Sequence, residues 1–306
     1  MSKRLLVLLT VIFAALGLIA VSGCGSDSKD ASAGSSGASG GDTVQFDFAK
    51  AAKATKDKGS ADLKLTANVT NKGKTQSLAI TGKADFKNTK LDLSMDLAKL
   101  LADNGVPAGD GKVQVLIDGK KLWLHLPKVQ GLTLPGGQEW ISLNLQVLID
   151  KYKLDSKAKK ASGEPLPPVK MTKVGTETLD GVEVTHLKAD ATLREFLNGL
   201  PASDKQRQGA ISNLEKQDGG KKALDETLPA EVWVDADNAL HRVKASLKID
   251  DGKNPGAADI DLTFSNFGTP VTITPPPASQ TFDATQFLDS AAEGFKNSLS
   301  KSLKTS

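Results

Sequence analysis

Apolar and polar residues alternate along most of the chain beyond residue 60. From Ala61 to Val69 every second position is apolar, and the same period returns in Leu78-Ile80-Gly82-Ala84-Phe86 and in Leu91-Leu93-Met95-Leu97. A period of two with one apolar face predicts an antiparallel sheet whose other side is wet. Lys112 to Leu126 reads as a hairpin around Asp118-Gly119, residues that tolerate the positive φ of a tight turn. That turn sets Val115 opposite Leu122 and Val113 opposite Leu124, with Trp123 and His125 on the other face. Trp140 to Leu143 is a short strand running into a two-turn helix over Gln146 to Lys153. Lys173 to Leu187 reads as strand, Asp180-Gly181 turn and strand. The sheet resumes at Glu231 to Val234, turns at Asp235 to Asn238, returns from Leu240 to Ile249, and shows its last clear strand at Ala258 to Phe264.

The period changes at three places. Ala49 to Lys58 is an Ala/Lys helix with Asp47 as its N-cap and Gly59 as its stop, and Thr192 to Leu200 and Asp204 to Gln217 are helical on either side of Pro201. Beyond Pro275-Pro276-Pro277, which end the sheet because proline cannot donate to a ladder, Phe287, Leu288, Ala291, Phe295, Leu299 and Leu303 recur at helical spacing. They predict an amphipathic helix of about twenty residues, capped by Asp283 or Thr285. Its polar face carries Asp289 and Glu293 besides lysines, which favours docking on its own domain over a membrane surface. Three prolines between Gly163 and Pro168 mark a loop, a hinge or the lip of a pocket.

The N-terminus carries a different signal. Lys3 and Arg4 precede an apolar run from Leu5 to Val21, then Val21-Ser22-Gly23-Cys24. This order is that of a secretory signal, and its end resembles the bacterial lipobox, in which Cys24 takes a diacylglyceryl group and becomes the first mature residue. The run is short for a membrane span, so the expectation is a lipid-anchored protein on the extracytoplasmic face of the cell membrane. Gly25 to Asp42 is Ser, Gly, Ala and Asp with one Lys, a composition that reads as a flexible tether. The expected organisation is a signal peptide over 1–23, a tether over 24–42, one binding domain over 43–282 and the amphipathic helix over 283–306.

Composition narrows the chemistry. Cys24 is the only cysteine, so once lipidated it leaves no disulfide, thiolate metal site or cysteine nucleophile. The formal charge of +3 falls to +1 without Lys3 and Arg4, which gives no field toward nucleic acid. His125, His186 and His241 lie far apart, each on a predicted strand, without ligand spacing. Gly37-Ala38-Ser39-Gly40-Gly41 fits the G-x-S-x-G pattern but lies in the tether, where no strand and helix flank it. Asp235-Ala236-Asp237-Asn238 begins like a calcium loop without its later Gly and Glu, and reads as a turn. No catalytic residue, metal site or cofactor is expected, and the chain reads as a non-enzyme.

The lipobox and tether, the N-terminal helix, the hairpin Val115-Leu116-Ile117-Asp118-Gly119-Lys120-Lys121-Leu122-Trp123-Leu124, the run Leu228-Pro229-Ala230-Glu231-Val232-Trp233-Val234-Asp235, and the closing Leu262 to Ile273 followed by prolines are together similar to the LppX/LprG lipoproteins of actinobacteria. The resemblance covers most of Phe46 to Pro277. It implies an α+β fold: a strongly curved antiparallel sheet, the LolA-like half-barrel, with helices covering its concave face and acyl chains of lipids or glycolipids held between. The expected partners are a lipid or acylated glycolipid, the membrane through Cys24, and a membrane transporter. The inward residues Leu65, Ile80, Leu93, Val115 and Leu124 are the candidate cavity lining. The alternative is an interaction or structural lipoprotein whose core is filled by its own side chains.

Overall fold

A computed structural model describes residues 42–71, 73–103, 105, 110–126, 134–152, 169–198, 204–216, 220–249 and 256–285. The signal peptide, Cys24, most of the tether, the proline-rich segment and the amphipathic helix beyond Thr285 lie outside these residues. In chain order the elements are β1 (Thr43–Phe46), α1 (Phe48–Asp57), β2 (Ser60–Asn71), β3 (Lys74–Asp85), β4 (Lys90–Asp96), α2 (Ala98–Asp103), β5 (Lys112–Asp118), β6 (Lys121–His125), β7 (Trp140–Asn144), α3 (Leu145–Tyr152), β8 (Val169–Leu179), β9 (Val182–Thr192), α4 (Leu193–Asn198), α5 (Asp204–Glu215), α6 (Gly220–Asp225), β10 (Thr227–Val234), β11 (Leu240–Ile249), β12 (Gly256–Ser265) and β13 (Thr281–Asp283). The strand order is β1-β8-β9-β10-β11-β12-β2-β3-β4-β5-β6-β7-β13. Among the pairings given by the described residues, β13 alone runs parallel to its neighbour, β7, and the others are antiparallel. β1 and β13 are the two ends of this order. The α+β class with a large antiparallel sheet is thus as expected. Two compact units divide the chain: Met1–Ala79 with Asp155–Thr269, and Ile80–Leu154 with Pro270–Ser306.

In the first unit the alternation of the sequence becomes cross-strand rows. Leu65, Leu262, Val243, Val232 and Leu187 are successive partners from β2 to β9. Ala67, Ile260, Ala245, Ala230 and Ala189 form the next row on the same face. Leu65, Leu262, Val232 and Leu187 are buried, so this face is core. The Asp180-Gly181 turn has φ of 50° and 80° at its two residues, as a two-residue hairpin loop of the primed type requires.

Helix α1 begins where the sequence places it. The Asp47 carboxylate accepts from the Ala49 and Lys50 N–H groups at 2.8 and 3.0 Å, satisfying two donors left over at a helix start. The helix buries Ala51 and Thr55. Thr55 Oγ1 donates to Ala51 O at 2.8 Å and accepts from Leu240 N at 2.9 Å, tying α1 to β11. Replacing Thr55 by Val keeps the shape and leaves the buried Leu240 N–H without its partner, a cost of about 1–3 kcal/mol. Urea titration followed by circular dichroism is expected to show that loss, with an unchanged slope.

The Asp235 turn closes the same corner. Lys58 Nζ lies 3.0 Å from Asp235 and 2.7 Å from Asp237, and His241 Nε2 lies 3.3 Å from Asp235. Burial alone pushes the Asp235 carboxyl up, but the Lys58 ammonium, the Ala239 N–H and His241 outweigh it and hold it below the usual carboxylate range. Hydrogen bonds to Asp237 and Asp235 raise Lys58. A carboxyl lowered by folding stabilises above its unfolded pKa of about 3.9 and loses that contribution as pH falls through the folded value. A raised lysine stabilises below about 10.4 and loses its contribution as pH rises through the folded value. The melting temperature is therefore expected to fall below about pH 4. Asp235→Ala lowers the plateau and shallows that acid limb, which thermal melts between pH 2 and 7 read directly.

A small separate core joins three helices through Leu193, Ile211 and Leu224, with Leu214 against them. Arg194 bridges Glu215 at 3.0 Å and Asp225 at 3.1 Å beside it. The sequence reading has two helices here and does not include α6. In the fold the Gly220 backbone lies directly against the Leu214 carbonyl, leaving no room for a Cβ, so the glycine is required by this contact.

Candidate functional site: an apolar sheet face

The second unit carries its own apolar sheet face. In the β5–β6 hairpin, Val115 pairs with Leu124 and Ile117 with Leu122. The expected register, Val115 opposite Leu122, is therefore two residues off. The loop is Gly119-Lys120 and not Asp118-Gly119, with φ of 57° at Gly119. A shift of two leaves every side chain on its expected face, so the facing predicted for Val115, Leu124, Trp123 and His125 stands.

The corrected register assembles one continuous row. Gly82, Leu93, Val115, Leu124, Ile141 and Phe282 are successive partners across β3, β4, β5, β6, β7 and β13. Flanking it are Ile80, Met95 and Val113 on one side, and Ala84, Leu91, Ile117, Leu122 and Leu143 on the other. These three rows contain no ionisable or hydrogen-bonding side chain. At the β3–β4 end of the face Ile80, Ala84 and Leu93 are buried, at 5%, 3% and 8% exposure, while Leu91 and Met95 are half-buried. Toward β7 it opens, and Val115, Leu124, Ile141 and Leu143 are only half-buried. A Cβ on Gly82 would meet the Asp92 carbonyl and Leu93, so β3 approaches β4 closely at the packed end.

The opposite face of these strands is polar, with Lys83, Asp92, Ser94, Gln114, Asp118 and Lys121. It carries one apolar patch, in which Leu116 and Trp123 are buried under Val271 and Ile273, with Trp140 against them. His125 packs edge-on to Trp140 at 5.0 Å, and its Nδ1 lies 3.2 Å from Lys112 O. Trp123 is thus a packed residue of the polar side.

Of the residues singled out from sequence, Ile80, Leu93, Val115 and Leu124 share this face. Leu65 belongs to the packed row of the first unit, and Cys24 lies outside the described residues. Sequence reasoning missed Ile141 and Phe282. Ile141 carries the same alternation, whereas Phe282 sits on a three-residue strand too short to show a period.

The polar face of the first unit holds a second cluster. Trp233, 4% exposed, stacks on His186 at 4.2 Å and 13°, and its indole N–H donates to Glu177. Arg242 and Lys244 lie over the ring at 5.3 and 5.6 Å. His186 Nε2 lies 2.7 Å from Glu231, and Arg242 holds Asp261 through two bonds. Each polar group here has a partner, which marks a structural network. Among the described residues no group of three or more His, Cys, Asp or Glu side chains is placed to hold a metal, and no helix is long and apolar enough to cross a membrane.

No protein-family model matches the chain, and no curated protein matches it. Among solved structures, the chain is similar to the lipoprotein LppX of Mycobacterium tuberculosis, with 15% identity, 74% of this chain and 94% of that chain covered, and a TM-score of 0.36. It is also similar to LprF from Mycobacterium bovis, with 16% identity over 75% of this chain and 94% of that one, at a TM-score of 0.35. A putative outer membrane lipoprotein-sorting protein domain from Vibrio parahaemolyticus is 11% identical over 71% of this chain and 90% of that one, at 0.22.

Proposed function

We propose that this protein is a lipid-anchored envelope protein that binds acyl chains of lipids or glycolipids on the apolar face of β4–β7 and carries them across the envelope. The observation that carries this reading is the row Leu93, Val115, Leu124 and Ile141, apolar throughout and half-buried from β5 onward. Each methylene taken from water onto such a surface contributes about 0.8 kcal/mol, so a saturated chain needs no polar recognition group to be held. The lipobox-like Cys24 supports anchoring, and two acyl chains on it exceed the single chain that binds only marginally. Holding acyl chains in this way requires no nucleophile, acid/base pair or metal.

Native mass spectrometry of residues 42–306 purified from an actinobacterial host, followed by lipid extraction, tests the reading. A reproducible adduct that releases acyl fragments supports it and names the cargo class. An empty protein that also takes up no fluorescent fatty acid removes it. The buried state of Ile80, Ala84 and Leu93 favours the second reading, an interaction module with a filled core, and that empty result is its expected outcome.

A further inference from the structure

We propose that this face measures its acyl chain across the strands and that Phe282, on β13 at the end of the strand order, sets the length it accepts. The inference rests on the binding reading for its ligand and on the strand register for its geometry. Directly opposed residues of neighbouring strands have their Cβ atoms about 5 Å apart, whereas residues two apart on one strand are separated by about 7 Å. Side chains therefore touch from strand to strand and stand apart along each strand, so the channels of the face run across the strands. Within the row, Leu93 is 8% exposed and leaves a ligand nothing to cover. Val115, Leu124, Ile141 and Phe282 are half-buried and follow one another on β5, β6, β7 and β13. Phe282 is the last of these and the largest side chain of the row.

Strand spacing converts into chain length. From β5 to β13, at about 4.8 Å per step, the half-buried part of the row spans about 14 Å. A C–C bond of about 1.5 Å advances a zigzag alkyl chain by about 1.25 Å. The row therefore takes about twelve carbons, and the step from Ile141 to Phe282 accounts for about four of them. Each methylene covered is worth about fourfold in affinity, and a methylene beyond Phe282 meets no further residue of the row. Strand β13 itself is held by other groups: Ala284 N donates to Ser142 O at 3.0 Å, Gln138 Nε2 to Thr281 O at 3.3 Å, and Asn144 N to Thr285 Oγ1 at 3.1 Å. None of these bonds uses the Phe282 side chain, so the ring can be shortened with the strand in place.

The test titrates the full chain, carrying Cys24→Ser so that no acyl group of its own competes, with straight-chain fatty acids from C8 to C16 below their micelle concentrations. Displacement of a fluorescent fatty acid reads each affinity. Affinity is expected to rise about fourfold per carbon from C8 to about C12 and to stay level from there to C16. Phe282→Ala is expected to leave C8 unchanged, to weaken C12 and longer chains by about tenfold or more, and to bring the plateau to about C8. Phe282→Leu gives the same split at about threefold, and thermal melts show whether each variant is intact; the leucine variant decides if alanine releases β13. A purely structural role for Phe282 lowers C8 and C12 alike and overturns the length selection, as does an affinity that climbs evenly to C16 in parent and variants. The lipid reading survives either of those results. A parent protein that binds no fatty acid of any length removes the lipid reading and the length selection with it.

Discussion

Replacing Val115 and Leu124 together by Asp is expected to weaken acyl-chain binding about a hundredfold. The two residues are direct partners at the middle of the apolar row, and both are half-buried. A chain lying across them loses contact with about four methylenes, or about 3 kcal/mol at 0.8 kcal/mol each, and 1.4 kcal/mol is one decade in affinity. The introduced carboxylates also resist dehydration beneath an alkyl chain. Ser94→Asp, exposed on the other face of the adjacent strand β4, is the matched control and keeps full affinity. Titration with a fluorescent C16 fatty acid reads both, with thermal melts to show that the double variant is folded. Equal affinities for the double variant and the control would remove the β4–β7 face as the binding surface.

The part of this site that is legible in the sequence is its facing. Alternation fixes which side of a strand Leu93, Val115 and Leu124 occupy, because neither the pleat nor a two-residue register shift changes it. Register is less legible. Asp118-Gly119 and Gly119-Lys120 both place a glycine in a two-residue loop, and only the fold selects the second. Short elements escape for another reason: β1 with four residues and β13 with three show no period, yet β13 carries Phe282 into the row. The boundary between the two units falls within β3, an unbroken strand whose composition changes nowhere near Ala79. Leu65 and Ile80 therefore look alike in sequence and lie in different units. Contacts distant in sequence are the least visible, such as Val271 and Ile273 over Trp123, since an exposed loop shows the same alternating residues.

Trp233 shows the same limit on the polar side and gives the second large effect: Trp233→Ala is expected to cost about 3–5 kcal/mol, a large share of a total stability of about 5–15 kcal/mol. Alternation places the residue on the face opposite Val232, which it shares with Glu231. In the fold it is as inaccessible as the core, because His186 stacks on it while Arg242 and Lys244 cover it. The alkyl stems of such cations bury apolar surface while their charges stay wet, and each cation over the ring adds about 0.5–1 kcal/mol. Trp233→Phe separates packing from polarity: the ring remains, but Glu177 loses the indole N–H, so a loss of about 1–2 kcal/mol is expected. Urea titrations followed by far-UV circular dichroism, which does not depend on the lost fluorophore, measure both variants. An alanine variant within 1 kcal/mol of the parent would show that the charged residues, and not the ring, organise this face.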